Sequence, residues 1–141
     1  MLRAILLATL LPVSVSAQGI FPYQDAERVA SGQIVYENNC AACHGANLEG
    51  EPDWKSRDEN GFLRAPPHDE TGHTWHHPDM QLFAIVALGS EAVVGNGYKS
   101  RMMGFREILT EQEVLDVMAY IKSTWPEDIQ AQHNMINARS Q

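Results

Sequence analysis

Past its first seventeen residues, this chain of 141 has no apolar run approaching the roughly 20 residues needed to cross a bilayer. Cysteine is nearly absent: Cys40 and Cys43 are the only two, which excludes a multi-disulfide scaffold and a zinc site built from two cysteine pairs. Basic residues are scarce, with Lys+Arg 10 against Asp+Glu 18 and a net charge of −8, and such a surface repels nucleic acid and anionic lipid. Alternating strand patterns and internal repeats are also missing, so neither a sheet protein nor a repeat array is expected.

What is present begins with an address. Arg3 gives a short positive start, Ala4 to Val15 is almost unbroken in its apolarity, and Val15-Ser16-Ala17 puts small residues where signal peptidase needs them. Residues 1–17 are therefore expected to be a signal peptide cleaved after Ala17. The run is too short for an uncleaved anchor and contains Pro12. The mature chain, 18–141, is then an exported single domain with no membrane insertion, a core over 25–126 and a tail over 127–141. It carries nine basic residues against eighteen acidic ones, a net charge of −9. A partner steered by charge should present a basic face, unless docking is mainly apolar.

Helices separated by long irregular stretches are expected. Asp25 caps a first helix running to Asn38, with Val29, Ile34, Val35 and Tyr36 giving it a broken apolar face. Gly32 lies inside it, at a cost of about 1 kcal/mol against alanine, which suggests close approach of another chain segment. From Gly45 to His76 the pattern is loop. The Asn60-Gly61 turn in "RDENGFL" is expected to close a small hairpin near 53–64, and Pro66-Pro67 holds the backbone extended. Such a long loop needs something to wrap. Pro78, as first helical residue, opens a second helix through "QLFAIVAL" to Gly89, and glycines break the chain again before Arg101. Thr110 and Glu113 form a capping box for the clearest helix, whose Val114, Val117, Met118, Ile121 and Trp125 share a face. In the tail, Ile129, Met135 and Ile136 are spaced for a short helix lying along the body.

The chemistry concentrates in "CAACHG", residues 40–45. Zinc lacks its second cysteine pair, and a thioredoxin-like redox pair opens a helix after a buried strand, whereas here a helix precedes the thiols. Covalent haem attachment fits better. Cys-X-X-Cys-His lets two sulfurs add to the vinyl groups of one porphyrin while the adjacent imidazole reaches the iron. Export, two thiols that would otherwise oxidise, and a long wrapping loop agree with it. A second axial ligand is then sought in "SRMMGF", where Met102 lies in a glycine-flanked loop before the last strong helix; a thioether favours ferrous iron and blocks substrate access.

These segments, "SGQIVYENNCAACHG", "APPHDETGHTWHHPD", "GYKSRMMGF" and "LTEQEVLDVMAYIKSTWP", together resemble the monohaem class I c-type cytochromes of bacteria over Ala30 to Pro126. The resemblance implies an all-α fold whose first and last helices cross through Gly32, Tyr36 and Tyr120, with long loops around one haem c and its iron. It implies Cys40 and Cys43 as tethers, His44 as proximal ligand, and a carbonyl of Pro66 or Pro67 on the other nitrogen of His44. The family's Met-Pro-X-Phe motif reads Met102-Met103-Gly104-Phe105 here. Alignment through Phe105 makes Met102 the distal ligand, with Met103 a competitor, and the missing proline predicts a looser loop.

Trp75 and one or two of His68, His73, His76 and His77 are expected to donate hydrogen bonds to the haem propionates, in preference to forming a second metal site. Tyr98 is expected either to pack on the porphyrin or to anchor the ligand loop. The implied function is one-electron transfer in the periplasm to and from redox partner proteins, without turnover of a substrate. The rivals are a dedicated haem subunit of a larger oxidoreductase complex, a haem-based peroxidase or gas sensor if the methionine is labile, and a copper-handling protein without haem.

Overall fold

The computed structural model describes residues 19–140. The signal-peptide expectation lies outside them. Among the described residues six helices follow one another: α1 Ala26–Asn39, α2 Ala41–His44, α3 Asp79–Leu88, α4 Ser90–Val94, α5 Glu111–Ser123 and α6 Glu127–Arg139, with a 3-10 turn at Thr74–His76. No strand occurs among the described residues, and the fold is all-α. No helix among them is long and apolar enough to cross a membrane.

The frame is the crossing of α1 and α5. Asp25 starts α1 by accepting the Glu27 and Arg28 N–H groups at 3.0 and 3.2 Å, and Thr110 with Glu113 starts α5 through a reciprocal capping box. The apolar stripe of α5, Val114, Val117, Met118 and Ile121, is buried together with Trp125. At the crossing, a Cβ on Gly32 would collide with the Asp116 backbone carbonyl and stand 3.0 Å from Tyr120 Cβ. Glycine is there because the helices meet backbone to side-chain root. Tyr36 and Tyr120 close the contact with ring centroids 5.5 Å apart, and Arg28 pairs with Asp116.

Four local expectations need adjustment. Pro78 is the N-cap and not the first helical residue: its ψ of 155° is extended, and its carbonyl accepts from Gln81 and Leu82. After Gly89 the chain does not break but turns at φ +87° straight into α4. The hairpin near 53–64 shrinks to a single antiparallel bridge, Arg57 to Leu63, because Asp58 Oδ1 accepts both the Asn60 and Phe62 N–H groups and gathers the turn onto itself. The tail forms a full thirteen-residue helix, and its buried face is polar.

That polar face follows from what α6 covers. Asp79, at the start of α3, accepts the Ile20 and Phe21 N–H groups at 2.5 and 3.2 Å through one oxygen and the Asn137 side-chain amide at 2.9 Å through the other. Asn137 Oδ1 returns a bond to the Asp79 N–H at 2.8 Å, satisfying an orphan donor of α3. His133, fully buried, donates from Nε2 to the His77 carbonyl at 2.9 Å. Lys122 reaches Asn134 at 2.7 Å and lies 4.4 Å over the Tyr23 ring. Ile129 packs on the core, whereas Met135 stays 51% exposed. Partners replace water for most of these polar atoms, and His133 Nδ1 is the exception, buried without a hydrogen-bond partner.

Two predictions follow from the frame and the tail. Gly32→Ala should destabilise the protein by about 1–3 kcal/mol, the usual range for overpacking, measured by chemical denaturation with the slope unchanged. Burial first, then Lys122, lowers the proton affinity of His133, opposed by Asp79 and the His77 carbonyl. Burial likewise lowers Lys122 to about 8. Both groups bind protons less readily folded than unfolded, so their contributions to stability rise with pH. The neutral-imidazole contribution of His133 is complete above its ordinary value of 6.5 and fades as pH falls through and below it. Lys122 adds stability as pH rises from about 8 toward 10.5. The melting temperature should therefore fall between pH 7 and 5, and less steeply in His133→Gln; equal slopes in the two proteins would contradict this account of His133.

Candidate functional site

The end of α1 feeds directly into the one-turn helix α2. Cys40 is the C-cap of the first and N-cap of the second, and its carbonyl accepts from Cys43 and His44 at 3.1 and 2.9 Å. Positions i, i+3 and i+4 of a helical turn share a face, so Cys40, Cys43 and His44 point the same way. The turn is tied back to α1 by the Tyr36 hydroxyl, which donates to the Gly45 carbonyl at 2.8 Å.

Both thiols are free. Burial, then the neighbouring Cys43, pushes Cys40 up to about 11 and keeps it protonated at neutral pH. A redox-active dithiol needs a depressed thiol, so the disulfide-exchange reading loses its chemistry here. His44 is buried, and its Nδ1 meets the Pro66 carbonyl at 2.9 Å. Burial lowers its proton affinity, against the opposing pulls of that carbonyl and Glu51. With Nδ1–H donating to Pro66, Nε2 carries the lone pair a metal requires.

Pro66 rather than Pro67 supplies the contact. Pro67 is buried one residue on, and the Leu48 carbonyl then accepts the His68 N–H at 2.8 Å, keeping the segment against the attachment loop.

The Met102 loop lies at the C-terminal end of α3. Phe105 N–H donates to the Val86 carbonyl at 2.9 Å, Arg106 N–H to Ala87 at 3.1 Å, and Met102 returns its own carbonyl to Ser90 N–H at 3.2 Å. These bonds satisfy carbonyls that α3 leaves open. A Cβ on Gly104 would come within 2.6 Å of the Leu88 carbonyl carbon, so only glycine permits the approach. The looseness expected from a missing proline is taken up by this backbone lacing. Met102 is half-buried, while Met103 is 55% exposed and its backbone bridges to Gly89.

The other sequence candidates scatter. The indole N–H of Trp75 is engaged by the Glu70 carbonyl at 3.2 Å, and its ring stacks on His76 with centroids 3.7 Å apart. Tyr98 is half-buried, with the Arg57 guanidinium 5.8 Å from its ring centre. His73 is 5.1 Å from His77 and 6.5 Å from His76, ring centre to ring centre. Among the described residues no three His, Cys, Asp or Glu side chains gather to hold a metal ion. Helix α3 is apolar on all sides from Leu82 to Leu88, yet only Leu82 of that run is buried by protein. A helix of that kind is normally covered throughout. The half-covered apolar length, the shared face of two thiols and an imidazole, and the free Nε2 suit a large apolar metallocycle.

The family model Cytochrome c matches residues 29–125. The chain belongs to the cytochrome c family. Membership brings the cofactor with it: haem c and its iron, covalently held. Similarity extends to the cbb3-type cytochrome c oxidase subunit FixP of Azorhizobium caulinodans, 23% identical over 94 residues, covering 67% of this chain and 28% of the relative. The cbb3-type cytochrome c oxidase subunit CcoP of Rubrivivax gelatinosus is 33% identical over 51 residues, covering 36% and 17%. A nitrite reductase of Stutzerimonas stutzeri is 28% identical over 114 residues, covering 77% and 18%. The chain spans less than a third of the length of each of these relatives. No solved structure gives a significant match.

Sequence reasoning missed one contact beside the attachment turn: the ring of His68 stacks on that of His44. The available signal was its position two residues after Pro66.

Gly104→Ala should push the ligand loop off α3. Hydrogen exchange at the Phe105 and Arg106 amides is expected to accelerate at least tenfold relative to wild type, while the Tyr36–Gly45 region keeps its protection; unchanged exchange at Phe105 and Arg106 would show that the loop is held by something other than this approach.

Proposed function

We propose that this cytochrome c carries single electrons in the periplasm and turns over no substrate. Residues 1–17 direct export and are removed, and residues 18–141 form the working domain. When bound, haem c supplies reversible one-electron iron chemistry. Cys40 and Cys43 tether the ring as thioethers, His44 is the proximal ligand, and Met102 is the distal one, with Met103 facing solvent. The observation that carries this reading is the His44–Pro66 bond at 2.9 Å, which fixes one ring nitrogen and leaves the other free on the face shared with the thiols.

The protein's own work is positional. Pro66 holds the imidazole, the α3 carbonyls hold the methionine loop, and neither support depends on a charge that changes with the electron. Ligands braced in this way move little between oxidation states, which keeps the barrier to electron exchange low. The mature net charge of −9 favours a partner with a basic face, unless docking is mainly apolar.

A second reading has a specific observation behind it. Two of the relatives are named as subunits of an oxidase, and this chain corresponds to a small part of each. In that reading the same haem serves one fixed enzyme as a dedicated subunit, and the protein co-purifies with it at low salt.

The deciding measurement is the mass of the denatured mature chain with its reduced visible spectrum. A gain of one haem and the sharp α-band of a low-spin c-type centre are expected, and an unmodified mass would end the proposal. Met102→Ala should let carbon monoxide bind the reduced protein, whereas wild type and Met103→Ala should resist it. Carbon monoxide binding in Met103→Ala alone would transfer the ligand role to Met103.

A further inference from the structure

Beside the attachment turn two imidazoles meet face to face. The rings of His68 and His44 lie 4.0 Å apart, centroid to centroid, with planes inclined by 24°. His68 is held there by directed bonds. Its N–H donates to the Leu48 carbonyl at 2.8 Å, its carbonyl accepts the Trp125 indole N–H at 2.7 Å, and its Nδ1 meets Thr74 Oγ1 at 2.7 Å.

The anchors come from three separate parts of the fold. Leu48 is buried in the loop after α2, Trp125 is buried just beyond α5, and Thr74 is buried at the start of the 3-10 turn against which α6 packs. His133 of α6 secures the far end of the same segment at the His77 carbonyl. The stack is therefore fixed at both backbone ends and at the ring edge, which apolar filling alone would not require.

The two supports of His44 do different jobs. A hydrogen bond donated to the Pro66 carbonyl sets where Nδ1 points, and a ring face 4.0 Å away limits rotation of the whole plane. A neutral π-face is attracted to a ring bearing positive charge. An imidazole bound to ferric iron bears more of that charge than one bound to ferrous iron.

We propose that His68 is a positioning residue for the proximal ligand: its stacked ring fixes the plane of His44 and selectively stabilises the oxidised centre. This rests on His44 being the iron ligand. A leucine in its place would fill the space but would neither set the plane nor answer the charge.

The test uses haem-loaded wild type, His68→Leu, His68→Phe and Thr74→Val, each weighed by mass spectrometry before redox titration and electron paramagnetic resonance. His68→Leu should keep one covalent haem and the low-spin α-band. Its reduction potential should rise and its ferric g values should move, as the His44 plane relaxes. His68→Phe restores a ring face and should return the potential toward wild type. Thr74→Val keeps the ring but removes its edge anchor, so a smaller rise is expected, and this variant decides the matter if His68→Leu fails to fold. Unchanged potential and g values in the folded variants, or a fall in potential, overturn the positioning role while leaving electron transfer intact. A wild-type chain without covalent haem overturns the ligand role of His44 and this assignment with it.

Discussion

Where α1 crosses α5, Gly32 has no side chain to keep the Asp116 carbonyl away, and the two helices close to a separation that any other residue would forbid. The consequences run outward from that contact. Continuing α1 brings Tyr36 to the Gly45 carbonyl and fixes the turn that carries Cys40, Cys43 and His44. Continuing α5 brings Trp125 to the His68 carbonyl and fixes the segment facing that turn. The Cys40–His44 turn and the segment facing it hang from opposite helices of one crossing, so their relative placement is set by backbone geometry.

The methionine side is organised on another principle. Its loop borrows the carbonyls that α3 leaves open at its end, and Gly104 permits the approach that makes those bonds short. A proline restrains a loop by limiting its own φ, whereas here the restraint comes from docking onto a neighbour. The two devices solve the same problem at different levels, one through a single torsion and the other through packing. The second ties the loop to the integrity of α3.

Much of this was legible because it is local. Asp25, Thr110 and Glu113 announce the helix starts, the spacing of Val114, Val117, Met118 and Ile121 announces the buried stripe, and Gly32 announces a close approach. Cys40, Cys43 and His44 declare themselves by adjacency, and the family resemblance narrowed a distant carbonyl to that of Pro66 or Pro67. What escaped depends on partners far away in sequence. Asn137 and His133 read as ordinary polar residues until Asp79 and the His77 carbonyl are placed beneath them. The turn into α4 was hidden because Gly89 normally ends a helix. His68 was one of four loop histidines of which one or two were expected to donate to the propionates, since nothing in "PPHDETGHTWHHPD" distinguishes the one that stacks on His44 from those that do not.

The polar underside of α6 has a structural meaning of its own. An apolar helix face can slide along its seat by one turn and still bury grease against grease. The α6 face cannot, because displacement by a turn would strand the Asp79 carboxylate, the His133 imidazole and the Asn137 amide together, each without a replacement partner. The C-terminal helix therefore has one register available to it, and because Asp79 also receives the Ile20 and Phe21 amides, that register is keyed to the segment leading into α1.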